Sequence, residues 1–460
     1  MILFLGKNYN DLDRIVPVID HMCRTTKEEI VLSMVELGYN YKDDFRLNYL
    51  RETHGLRIID FHRDATLGAV KRFSLLVSTS LTNSPPYKTY VDYGYAVIRR
   101  MLLSVMSDNA TTKFFDLTAT LRKRFFGLEY SRNYLKRLRP SIIVSDDRPR
   151  PVALYESAVN LGISIVGIPH GLDTVMERDP KKPKELLMDT TNYWYENDHR
   201  KKIDLRTENQ DPLHQYTLLL TQNSIEKQRW VHSGTPPEKI VEVGCPRFCP
   251  EWRSIYSKII PQPKVNLPKT RDQVIKVVFM DHKSNLEMDQ NNILSGIQAI
   301  QSLDFVELIV KPSTGGVGKS RFVGGRSGYN TRALDDFCRI VRNEHSYNLI
   351  DWADVVLVTR SSIWLEVLLQ NKILIYPANF ARTTSIAEQY HACWRTSTTQ
   401  ELVDALTKIR KQPCYRPYAD ENVQQVLDYV IGRNLTTSSV LKQYVKHILD
   451  INVTRKIQNK

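Results

Sequence analysis

The sequence predicts an α/β protein built from two doubly wound, Rossmann-like parallel sheets, on three observations. Short, mostly apolar runs recur along the chain, as at 141–147, 164–168, 275–280 and 354–358, the last unbroken once past Asp354, each leading through a polar turn towards a helix-period segment. Such runs suit strands buried on both faces, the condition of a parallel sheet under helices. Strand, loop and helix then alternate, which is the pattern of doubly wound folds. Finally, 460 residues exceed the span of one hydrophobic core, so two or three domains are expected.

The elements follow in chain order. Residues 1–5 read as a strand, 6–10 as a loop, and Asp11 as the N-cap of a helix whose apolar face is Ile15, Val16, Val18 and Ile19. Residues 29–35 and 56–61 are the next strands. Residues 64–140 read as helical and basic, with Arg122, Lys123, Arg124, Arg132, Lys136, Arg137 and Arg139 interleaved with Leu121, Phe125, Phe126 and Leu128. That face is either a solvated helix surface over the core, the preferred reading, or an amphipathic surface resting on an anionic membrane. Residues 141–147 form a strand ending in Asp146 and Asp147, 152–161 a helix closed by Gly162, and 164–168 a strand running out to His170. This βαβ unit puts Asp146, Asp147 and His170 at one sheet edge, where such folds bind ligands. Each has a plainer reading: His170 as a turn histidine, the two acids as helix caps. Residues 174–214 are polar, broken by Pro180, Pro183 and Pro212, and read as an interdomain segment or insertion.

A second sheet is expected to open at 218–220. A helix capped by Ser224 and ended by Gly234 follows, then a strand at 240–243 leading to Gly244, Cys245, Pro246 and Arg247. Arg247 is a candidate ligand contact or, more simply, half of a loop-fixing ion pair. Next come a strand at 275–280, a helix at 286–303 and a strand at 305–310 that ends in Lys311, Pro312 and Ser313. The loop 315–328 holds six of the 19 glycines. Its Gly316–Ser320 segment looks like a P-loop, but Ser313 stands where the first glycine belongs, so a lid is preferred. A helix is expected near 331–343 and a strand at 354–358. Helices at 401–410, 423–431 and 438–449 close the chain, the last crossing back to the first sheet. The expected domains are 1–210, 211–415 and 416–460.

The stretch 347–379 carries the clearest chemistry. A buried strand leads through Thr359, Arg360, Ser361 and Ser362 into a mostly buried helix from Ile363, ended at 370–372 before a strand at 373–376. Free backbone N–H groups, the helix dipole and two hydroxyls make an anion site there. Glu366, one turn in, is placed for a ribose hydroxyl pair. The plainer reading makes the serines an N-cap and Glu366 a first-turn acid.

Composition narrows the function classes. Hydrophobic content of 42% with 25% charged residues is ordinary for a globular protein. No signal-peptide pattern opens the chain and no stretch is long enough to span a membrane, so a cytoplasmic location is expected. Six scattered cysteines read as reduced thiols; only Cys245 and Cys249 are close, and nothing completes a zinc site. A net charge of +13 favours an anionic partner, with nucleotide and anionic lipid ahead of nucleic acid, for which no signature is present.

His170-Gly171, Gly244-Cys245-Pro246-Arg247, Lys311-Pro312-Ser313 and Ala353-Asp354 through Ser361-Ser362 to Glu366 occur in that order. The set resembles the GT-B glycosyltransferase superfamily, in particular bacterial capsule Kdo- and sialyltransferases and CDP-glycerol glycerophosphotransferases. The resemblance spans most of residues 140–380 and departs from the family at Lys311-Pro312-Ser313, which lacks the histidine of the HP pattern. It implies two domains facing across a cleft, a nucleotide-sugar donor, a glycan or lipid-linked acceptor, work at the cytoplasmic membrane face, and transfer without a metal or other cofactor. A departing nucleotide phosphate gathers negative charge, which Ser361, Ser362, Lys311, Arg247 and Arg360 are placed to meet. The acceptor hydroxyl needs a base, with His170 first and Asp146 or Asp147 second. Two other readings remain open: a nucleotide-sugar 2-epimerase of the same architecture, and a non-catalytic nucleotide-binding module.

Overall fold

The computed structural model describes residues 1–7, 9–35, 41–61, 128–146, 152–168, 175–177, 215–232, 234–263, 274–281, 289–312, 338–341, 344–359, 361–381, 383–432 and 439–458. By the contacts among its residues the chain divides into two compact units. One comprises 1–171, 204–260 and 431–460, the other 172–203 and 261–430.

The first unit holds a seven-stranded sheet: β1 (Ile2–Gly6), β2 (Ile30–Met34), β3 (Arg57–Asp60), β4 (Ile142–Asp146), β5 (Ser164–Ile168), and, beyond a short β6 (Val175–Glu177) of the other unit, β7 (Leu218–Thr221) and β8 (Ile240–Glu242). The order is β3-β2-β1-β4-β5-β7-β8, with every pairing parallel. Its helices are α1 (Tyr9–Thr25), α2 (Phe45–His54), α3 (128–138), α4 (Val152–Asn160), α5 (Ser224–His232) and α6 (Pro250–Ile259). The strands are apolar throughout because both faces are covered. Ile2 and Phe4 join one core with Ile15, Ile19, Trp252 and Tyr444, while Leu3 and Leu5 join another with Tyr134, Leu154 and Tyr155. That is the period-2 alternation of a strand buried on both sides.

Several expectations are corrected here. Leu218–Leu220 opens no second sheet; β7 pairs with β5 and β8 with β7, extending the first. At the join Gly167 leaves room for Leu219, from which a Cβ there would lie 2.4 Å. Asp11 is not the N-cap of α1, which begins two residues earlier at Tyr9; its carboxylate accepts from the Lys7 N–H at 3.2 Å from within the first turn. In α3, Tyr130, Tyr134 and Leu135 are buried while Arg132, Lys136 and Arg137 are exposed, so this part of the basic region has a solvated charged face over the core. The rest of that region lies outside the described residues.

The second unit holds a six-stranded parallel sheet of β9 (Ile275–Met280), β10 (Val306–Lys311), β11 (Arg339–Ile340), β12 (Val355–Val358), β13 (Ile373–Pro377) and, after β14 (Thr383–Ser385), β15 (Trp394–Thr396). The order is β11-β10-β9-β12-β13-β15, and β14 pairs antiparallel with β6. Its helices are α7 (Gln290–Gln301), α8 (Ser346–Trp352), α9 (Trp364–Leu369), α10 (Ile386–Gln389), α11 (Thr399–Lys411) and α12 (Asp420–Ile431). Ile293, Ile297 and Ile300 of α7 and Leu402, Leu406 and Ile409 of α11 pack on Val277, Phe279, Leu308 and Leu357. Residues 339–340 are a strand beside β10, not part of the helix expected near 331–343. The helix expected from 286 is described from Gln290, capped by Asp289, whose carboxylate accepts from Asn292 N–H at 3.0 Å.

The last helix, α13 (Val440–Gln458), belongs to the first unit, as expected of a C-terminal crossing. Cys245 N–H donates to the Ile431 carbonyl at 2.8 Å and Tyr444 donates to the Gly244 carbonyl at 2.9 Å. Gly432 sits at φ 110° with no room for a Cβ, which would lie 2.9 Å from Gly244 Cα. Among the described residues no helix is long and apolar enough to cross a membrane.

Candidate functional site

Doubly wound sheets bind ligands beyond the carboxyl ends of their strands, where the strand order reverses. Each sheet has one reversal. In the second unit the chain runs from β9 outward through β10 to β11, then returns to the other side of β9 with β12. The register Lys311↔Met280↔Val358 brings three strand ends level. Lys311, Asp281 and Thr359 therefore stand at one edge, and Asp281 N–H donates to the Lys311 carbonyl at 2.9 Å.

Lys311 is 3% exposed. Burial pushes its amine down to about 8, against the pull of the buried Glu344 carboxylate, which favours the charged form. Glu344 is itself held by the His345 N–H at 2.9 Å and Asn348 Nδ2 at 2.7 Å. A lysine in this condition takes up a proton readily when an anion arrives, because the anion restores what burial removed. Thr359 is 1% exposed and, among the described residues, its hydroxyl has no hydrogen-bond partner. The same holds for the indole N–H of Trp364.

Ser361 and Ser362 follow two and three residues after Thr359. Ser361 Oγ accepts from Ile363 N–H at 3.4 Å, and the Ser362 carbonyl accepts from Leu365 N–H at 3.2 Å. The helix they lead into begins at Trp364, not Ile363, and runs only six residues. So short a helix has a small dipole, and any anion site here rests on hydroxyls, backbone N–H groups and Lys311. Glu366 is buried, as are Trp364, Leu365 and Val367 around it. Asp354 serves the sheet itself, its carboxylate accepting from Lys276 N–H at 2.9 Å.

The first unit reverses between β1 and β4. Asp146 ends β4, and its carboxylate is ion-paired with Lys7 at the end of β1. Both are buried. Tyr216 donates to the Asp146 carbonyl at 2.8 Å. Arg247, expected with the donor-binding residues of the second half, belongs to this unit instead and pairs with Asp13 at 2.8 Å. Asp13 also pairs with Arg46, which is stacked 4.0 Å over the Tyr9 ring and pairs with Asp44 at 2.6 Å. Arg247 thus closes a compensated network, the loop-fixing reading. Burial pushes the Cys245 and Cys249 thiols up, which disfavours the thiolate form.

His170, Asp147, Arg360, Ser313 and the 315–328 loop lie outside the described residues. The sequence reading missed Lys7, Asp281, Thr359 and Glu344. Asp281 and Thr359 stand directly after an apolar run and Lys7 one glycine beyond one, and that position was the available signal. Among the described residues no group of three or more His, Cys, Asp or Glu side chains is placed to hold a metal ion.

No protein-family profile matches the chain, and no curated protein matches its sequence. Solved structures do match in fold. The UDP-GlcNAc 2-epimerase of Neisseria meningitidis, solved bound to UDP-GlcNAc, superposes with a TM-score of 0.54 at 9% identity, over 98% of this chain and 100% of that one. The UDP-GlcNAc 2-epimerase of Methanocaldococcus jannaschii superposes at 0.50 and 10% identity, over 98% and 99%. At such identity the likeness is one of architecture: two Rossmann-like α/β halves of the GT-B kind, matched along the whole chain.

Proposed function

We propose that the protein is an enzyme acting on a nucleotide-activated sugar, with the nucleotide's phosphates held at the carboxyl edge of the second sheet. The observation that carries this is the convergence of Lys311, Asp281 and Thr359 at the reversal of that sheet, with Ser361 and Ser362 just beyond. A buried lysine whose amine sits near 8 supplies a positive charge where a phosphate would come, in surroundings that strengthen electrostatic attraction. Asp281 is an acceptor suited to sugar or ribose hydroxyls, and a carboxylate beside a lysine at one edge serves both halves of a nucleotide sugar.

In the first reading the reaction is glycosyl transfer to a growing glycan or lipid-linked acceptor, without a metal. Lys311, Ser361 and Ser362 offset the charge on the departing phosphate; His170, Asp146 or Asp147 takes the proton of the acceptor hydroxyl. Work at the cytoplasmic membrane face belongs to this reading, and the +13 charge supports it. A specific observation favours a second reading, nucleotide-sugar 2-epimerisation: both superposed structures named above are UDP-GlcNAc 2-epimerases, matched over 98% of this chain. They also recommend UDP-GlcNAc as the first probe.

The test is incubation with UDP-GlcNAc, then CMP-, CDP- and GDP-sugars, followed by NMR, with and without chelator. A 2-epimer formed without acceptor supports the epimerase. Turnover that needs an added glycan or lipid-linked acceptor supports the transferase, and chelator must not abolish it. Nucleotide binding with no turnover under either condition contradicts both.

A further inference from the structure

The first sheet has its own reversal, and a lysine stands at it. Lys7 follows directly on Gly6 at the end of β1, and the register Ile2↔Ile142, Phe4↔Val144, carried two residues on, sets Gly6 beside Asp146. The strand end is tightly packed: a Cβ on Gly6 would lie 3.0 Å from Met34 Sδ and 3.2 Å from Leu12. Lys7 Nζ is ion-paired with Asp146 Oδ1, and its backbone N–H donates to Asp11 Oδ2 at 3.2 Å. The Asp146 carbonyl accepts from Tyr216 at 2.8 Å and from the Ser145 hydroxyl at 3.1 Å. The titratable groups seen to meet this pair include Lys7 from β1, Asp11 from α1 through the Lys7 backbone, and Tyr216 ahead of β7.

A buried ion pair is weak evidence for stability, because desolvating both charges offsets most of their attraction. Its position says more. It lies where this class of sheet receives ligands, on the one described acid among the candidate bases. We propose that Lys7 is a positioning residue for the reaction, holding the Asp146 carboxylate ionised and fixed in direction at the first sheet's reversal. This rests on the nucleotide-sugar reading. In the transfer form of that reading, the acceptor hydroxyl gives its proton to Asp146 while its oxygen bonds to the anomeric carbon. The bond from that carbon to the nucleoside diphosphate breaks, and the proton passes to water once the product has left.

The experiment is the pH profile of nucleotide-sugar turnover for wild type, Lys7→Gln and Lys7→Arg, with melting temperatures recorded. Removing the ammonium makes Asp146 protonate more readily, so the acid limb of kcat in Lys7→Gln moves to higher pH by about one unit or more. Its kcat at neutral pH falls about tenfold or more, with KM changed far less. Lys7→Arg keeps the limb at its wild-type position, and being the milder change it supplies a folded variant in any case. A limb unmoved in Lys7→Gln, or displaced in Lys7→Arg, overturns the role while leaving the nucleotide-sugar reading in place. A wild type inert toward UDP-, CMP-, CDP- and GDP-sugars overturns the reading and this role with it.

Discussion

The two sheet reversals are built alike and filled differently. In the first unit, the ends of β1 and β4 carry opposite charges that meet each other, Lys7 with Asp146, and the surrounding arginines are likewise matched by Asp13 and Asp44. In the second unit, the ends of β9, β10 and β12 carry Asp281, Lys311 and Thr359, with the lysine amine held near 8 by burial and a buried hydroxyl without a partner among the described residues. The first reversal is satisfied from within. The second places a desolvated amine where an arriving anion would favour its charged form. The same topology thus carries a buried ion pair at one reversal and a buried lysine with a lowered amine at the other.

The largest expected effect separates the two sites by stability. Removing one partner of a buried ion pair leaves the other charge uncompensated, so Asp146→Asn lowers unfolding free energy by about 3–5 kcal/mol in denaturant titrations. Lys311→Met costs less, because burial already disfavours the charge it removes, although that charge also faces the buried Glu344 carboxylate; equal losses at the two positions would break the comparison. In binding the ranking reverses: Lys311→Met weakens nucleotide affinity by about 1.5–3 kcal/mol, roughly ten- to a hundredfold, as read by calorimetry.

The pH dependence sharpens the second site. The folded amine of Lys311 lies near 8, below the ordinary lysine value, so the unfolded chain binds more protons between 8 and about 10.5. Stability therefore rises with pH across that window through this group, and the rise is absent in Lys311→Met. Nucleotide affinity moves the other way, falling as pH climbs through about 8, because the ammonium that meets the phosphate is lost. Calorimetry at about pH 6.5, 8 and 9.5, on either side of that value, checks the direction. The smallest effect is at Thr359: its buried hydroxyl has no partner among the described residues, which costs stability, so Thr359→Val is neutral or stabilising by up to about 1–2 kcal/mol in thermal melts.

Most of the architecture was legible because parallel strands buried on both faces read as mostly apolar runs, as in Ile275–Met280, interrupted only by Lys276, and Val355–Val358. The placement of β7 and β8 was not legible. Nothing in Leu218–Thr221 says which sheet it extends; the pairing of Leu219 with Gly167 is seen only in the structure. At the sites, a single polar residue after an apolar run marks a strand end, but only the register shows which ends are neighbours. That is why Lys311, Ser361 and Ser362 were read and Lys7 was not: its partner lies 139 residues away. For Arg247 the loop-fixing ion pair was the simpler reading, but its partner Asp13, on α1, could not be named from sequence.

The central claim is that the second sheet's reversal holds the phosphates of a nucleotide. Calorimetric titration of UDP, with CMP, CDP and GDP alongside, into wild type, Lys311→Met and the Ser361→Ala/Ser362→Ala double variant at neutral pH tests it most directly. The account predicts selective binding of one nucleotide by the wild type, weakened roughly ten- to a hundredfold by Lys311→Met, with a smaller loss in the serine variant and melting temperatures maintained. Absence of binding by the wild type, or equal binding by all three proteins, would contradict it.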